Sequence, residues 1–113
     1  MTGTLMTWPN DADGDVLRRM ESDGFDFAKP HVIDFNVDFD SWPPDPKAVA
    51  VLKKRYPGTV VHEPEDGHAG YLQFQVRDRV SYELVMQIQR QTTDLVAPFN
   101  GRCESWGVLQ DED

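Results

Sequence analysis

The residues best suited to chemistry lie between positions 62 and 68, where His62, Glu63, Glu65, Asp66 and His68 crowd together. Imidazole and carboxylate are ligands for zinc and similar ions. The run reads HEPEDGH, however, and not HExxH. Pro64 and Gly67 interrupt any helix through it, so the two histidines cannot share one helical face. A polar hairpin loop explains the run better than a metal centre does. Cys103 is the single thiol. A nucleophilic cysteine needs a base or a positive field beside it, and Arg102 is only a sequence neighbour. A strand cysteine serving as a small hydrophobe is the simpler reading. Ser81 and Ser105 lack the strand-turn-helix context of a nucleophile elbow. Lys53-Lys54-Arg55 is too short for a nucleic-acid patch and suits a helix C-terminus. No catalytic residue, metal ligand or cofactor site is therefore expected.

Composition narrows the classes further. The chain has 113 residues, with 20 acids against 11 bases, a formal charge of −9 and a pI near 4.6. That balance disfavours a nucleic-acid binder, which must set cations against phosphates. The first 45 residues are the more anionic part, with ten acids and three bases. One cysteine excludes an internal disulfide. No apolar run reaches the length of a membrane span. Met1 to Pro9 has neither the basic region nor the apolar block of a secretory signal, so a cytoplasmic protein is expected.

The elements that must position any site can be read from periodicity and caps. Residues 1–10 form a lead-in. Asp11 and Asp13 favour a helix start, Val16, Leu17 and Met20 give it an apolar stripe, and Gly24 stops it, so a helix is predicted over 11–22. His31 to Phe39 alternates strictly: Ile33, Phe35, Val37 and Phe39 against Asp34, Asn36 and Asp38. This is a strand with one buried and one polar face. Asp45 and Pro46 open a second helix, which Pro57-Gly58 closes. Thr59 to Glu63 and Tyr71 to Arg77 read as two strands of a hairpin around a turn-rich loop over 64–70. Ser81 caps a third helix with Leu84, Val85, Ile88 and Leu95 as its stripe, and Asn100-Gly101 follows its end. Arg102 to Leu109 is a last strand, and Gln110 to Asp113 an acidic tail. One domain over 11–109 results. After the first helix the order β-α-β-β-α-β is the α+β, ferredoxin-like arrangement: a four-stranded antiparallel sheet with two helices on one face.

In that arrangement the odd positions of the first strand face the helices, and Asp34, Asn36 and Asp38 face away. Tyr71, Gln73, Gln75 and Arg77 face away beside them. RNA-binding domains of this topology present stacking aromatics and cations there, whereas carboxylates repel phosphate. Either the row is simply solvated, or it accepts a cationic segment of another protein. Trp42 and Trp106 are core residues or interface anchors.

Several segments resemble the family of regulators of ribonuclease E activity B (RraB). Asp23-Gly24-Phe25-Asp26, the strand His31 to Phe39 and the turn Tyr56-Pro57-Gly58-Thr59-Val60 each resemble a family element. Gly101-Arg102-Cys103-Glu104-Ser105-Trp106-Gly107 resembles its closing G-x-Y-D-G-W-G motif, with Cys103 where the family favours Tyr and Ser105 where it favours Gly. The resemblance implies the same split fold. It also implies a bacterial, non-catalytic inhibitor that binds the scaffold region of ribonuclease E, or the nuclease itself, and alters RNA processing and decay. The expected docking residues are Asp34, Asn36, Asp38, Glu104 and Trp106, in a monomer or weak homodimer, with no direct nucleic-acid or membrane contact. The alternative is a small dimeric ligand-sensing ferredoxin-like domain.

Overall fold

The computed structural model describes residues 11–108, so the lead-in and the acidic tail lie outside the described residues. Helix α1 (Ala12–Ser22) starts because the Asp11 carboxylate accepts the Gly14 N–H at 2.7 Å, with Asp13 and Asp15 in the first turn favouring the helix dipole. Strand β1 (Pro30–Phe39) follows. Helix α2 (Pro46–Arg55) is opened by Asp45, which accepts the Lys47 N–H at 2.8 Å, with Pro46 in the first position. Strands β2 (Val60–His62) and β3 (Tyr71–Arg79) form a hairpin. Helix α3 (Tyr82–Val96) is capped by the Ser81 hydroxyl, which accepts the Leu84 N–H at 3.1 Å. A 3-10 turn, Ala97–Phe99, leads through a left-handed Asn100 into strand β4 (Gly101–Val108).

All pairings are antiparallel and the sheet order is β2-β3-β1-β4. This is the α+β, ferredoxin-like arrangement expected from the element order. Ile33, Phe35 and Val37 of β1, Leu72 and Phe74 of β3, Leu52 of α2 and Val85, Ile88 and Val96 of α3 form one buried cluster, which Leu17 of α1 and Cys103 of β4 join. The Phe74 ring is stacked between Phe35 (centroids 5.4 Å apart) and Tyr56 (3.9 Å), which ties the exit of α2 to the sheet centre.

Strand β2 and the buried stripe of α3 differ from the sequence expectation, and the turn-rich loop between β2 and β3 takes a defined form. Strand β2 is shorter, because Thr59 is buried and its hydroxyl donates to the Tyr56 carbonyl at 2.7 Å, closing the helix exit instead of entering the sheet. The loop over 64–70 contains a tight turn: Glu65 and His68 pair across Asp66 and Gly67, whose φ values are 33° and 83°. Two consecutive positive φ values are the mark of a type I′ hairpin turn, which an Asp-Gly pair favours. In α3 the buried residues are Val85, Ile88, Gln89, Thr92 and Val96, while Leu84 and Leu95 are half-buried at the margins. The core-facing stripe is displaced from the expected one because two of its members are polar and do not register in an apolar pattern.

Candidate functional site

Directly paired residues of neighbouring strands share a sheet face. Asp34 pairs with Gln75 on one side and Gly107 on the other, Asn36 with Gln73 and Ser105, and Asp38 with Arg102. These side chains therefore occupy the face opposite the helices, as expected. The Gln75 amide donates to Asp34 at 2.7 Å. The Gln73 amide donates to the Asn36 carbonyl oxygen at 3.0 Å, and the Asn36 amide donates to the Ser105 hydroxyl at 3.1 Å. On the far side His62 Nε2 lies 3.3 Å from Gln73 Oε1, and its ring stacks on Tyr71 with centroids 4.5 Å apart. A polar row, His62–Gln73–Asn36–Ser105, thus crosses all four strands.

Carboxylates stand on either side of that row. Asp34 is above it. Below it, the Arg102 guanidinium donates to Asp40 at 2.7 Å and lies 3.6 Å from Glu104, with Asp38 adding to the local negative field. The hydrogen bond to Asp40, and then its charge, raise the Arg102 pKa above its ordinary value. The amides fix the middle of the face, and the acids at its ends can accept cations. This is a binding geometry.

Trp106 is placed differently from the other expected docking residues. Val37 pairs with Cys103 and Asn36 with Ser105, so Glu104 is an extra residue in a β-bulge. The bulge reverses the alternation of the strand. Cys103 and Trp106, three positions apart, both end on the helix side, where Trp106 pairs with Phe35. Its indole N–H donates to Asp13 of α1 at 2.7 Å. The Tyr82 hydroxyl donates to Asp11 at 2.8 Å, so both ends of this contact hold α1 against the domain. The Gly14 N–H, and then Tyr82, keep the Asp11 carboxyl below its usual range, and the same hydrogen bond raises the Tyr82 pKa. The structure therefore brings Asp34, Asn36 and Asp38 together, sets Glu104 at their border and puts Trp106 on the other side of the sheet.

The remaining reactive groups are engaged locally. Cys103 is 1% exposed. Desolvation first, then Asp38 and Glu104, push its thiol up to about 12. His31 is half-buried, 3.1 Å from the Asp26 carbonyl and against the Phe25 ring. Glu63 accepts the Trp42 indole N–H at 3.1 Å, and the Trp42 ring covers Gly70 so closely that a Cβ there would lie 2.7 Å from it. No group of three or more His, Cys, Asp and Glu side chains among the described residues is arranged to hold a metal. No helix among them is long and apolar enough to cross a membrane.

Fold and face together define an α+β split sandwich that offers a polar, hydrogen-bonded sheet surface. The family model for the regulator of ribonuclease activity B matches residues 10–108, and the chain belongs to that family. Its members are regulatory proteins and not catalysts, and membership implies a protein partner in ribonuclease regulation. No curated protein matches the chain.

Proposed function

We propose that the protein is a cytoplasmic regulator that binds ribonuclease E at its non-catalytic scaffold region and so modulates RNA processing and decay. The observation that carries this reading is the open sheet face, where Asp34, Asp38, Asp40 and Glu104 border a fixed row of amides. Carboxylates spaced along β1 suit the arginine-rich parts of such a scaffold, since guanidinium pairs well with carboxylate. Binding there competes with RNA for the same cations, which slows cleavage without any chemistry by the regulator. The face can form without a ligand, because every strand is pinned from behind by the core.

The experiment is an RNA-cleavage assay with ribonuclease E carrying its scaffold and with its catalytic part alone. Added protein should slow cleavage only when the scaffold is present. Equal inhibition of both forms, or cleavage of RNA by the protein itself, would overturn the reading.

A further inference from the structure

A second surface lies round the β4 edge from the sheet face. An open groove of about 400 Å³ runs between α1, α3 and β4, lined by Met86, Gln89, Arg90, Asp94, Cys103 and Glu104. Its apolar part is Met86 with the buried Cys103. Gln89 is 7% exposed and donates its amide to the Val85 carbonyl at 3.1 Å. No protein donor among the described residues meets its amide oxygen, which solvent reaches, since the buried polar side-chain atom without a partner among them is the Thr92 hydroxyl. Asp94 and Glu104 are exposed at the rim, and Arg90 is the cation beside them.

We infer that this groove takes an arginine side chain of the protein partner, extending the sheet-face contact around the β-bulge. The inference rests on the proposed reading that the partner segment is cationic. An arginine fits on three counts. Its aliphatic stem can lie along Met86 and Cys103. Its fork of N–H donors can replace water at the Gln89 amide oxygen, which no protein donor holds. Its charge is complementary to Asp94 and Glu104. Glu104 joins the two surfaces, since it lines the groove and also lies 3.6 Å from Arg102 on the sheet face. A single extended segment can therefore engage both.

The test titrates the full chain with an oligo-arginine peptide and with its oligo-citrulline counterpart of equal length, read by amide NMR. The arginine peptide should shift the Gln89 side-chain amide and the Glu104 backbone amide, and the neutral citrulline peptide should not. The pair Asp94→Lys/Glu104→Lys should weaken binding about fivefold or more, and Arg90→Gln should tighten it. If lysine disturbs folding, Asp94→Asn/Glu104→Gln carries the same test. Shifts confined to Asn36 and Gln73, with no effect of the groove pair, would overturn the groove and leave the sheet-face reading standing. Shifts at neither surface would overturn both. Equal binding of the citrulline peptide, or groove shifts that follow protein dilution and mark a second copy as occupant, would also overturn it.

Discussion

Cys103 shows how position decides reactivity. It stands one residue before the bulge, turned into the core, between the desolvating sheet and the charges of Asp38 and Glu104. All three influences disfavour thiolate, which is the reactive form. The thiol should therefore react slowly with iodoacetamide at mildly alkaline pH in the folded protein and rapidly once urea unfolds the chain. The linkage has a definite sign. A folded-state pKa raised from 9.0 to about 12 contributes stability that is present below the unfolded value and is lost as pH rises between the two. Cys103→Ala should remove that part of the alkaline loss in a urea-denaturation series. A thiol alkylated equally fast in folded and unfolded protein would contradict this placement. The inertness was readable from the sequence as the absence of a nearby base. The inward turn of Trp106 was not, because strict alternation from Cys103 would point it outward, and only the unpaired Glu104 reverses it.

Strand β1 was the most legible element, since its apolar and polar residues alternate without exception from Ile33 to Phe39. The pattern alone separates the buried face from the outward-facing acids. Helix α3 was harder to read, because Gln89 and Thr92 occupy core-facing positions. Only the neighbours they pack against make those positions buried. The turn-rich character of the 64–70 loop was legible, and the Asp66-Gly67 pair between two strands carries the further signal of the tight hairpin turn found there. The two faces of β1 should respond differently to substitution. Phe35→Ala removes a fully buried ring stacked on Phe74 and should cost about 3–5 kcal/mol of unfolding free energy. Asp34→Asn changes an accessible carboxylate and should stay within about 0.5 kcal/mol. Chemical denaturation of both variants measures this, and comparable losses would show that the outer face is structural and not a surface kept for a partner.

The molecule as a whole divides its labour across the sheet. One side is spent on cohesion: three helices, a stack of aromatic rings and hydrogen bonds that fasten α1 through Asp11 and Asp13. The other side is left polar, and the bulge in β4 carries its acidic border round the edge toward α3. Family membership supplies the regulatory role, and the −9 charge would attract the cationic partner segment proposed above over a distance, an attraction that salt should screen. The most direct measurement is the affinity of ribonuclease E with its scaffold for the wild type and for the Asp34→Lys/Asp38→Lys double variant, at low and at high salt. The wild type should bind, more weakly as salt rises, and the double variant should lose most of that binding while remaining folded. Equal affinity for both proteins, unchanged by salt, would contradict the claim that the carboxylates of β1 receive the partner.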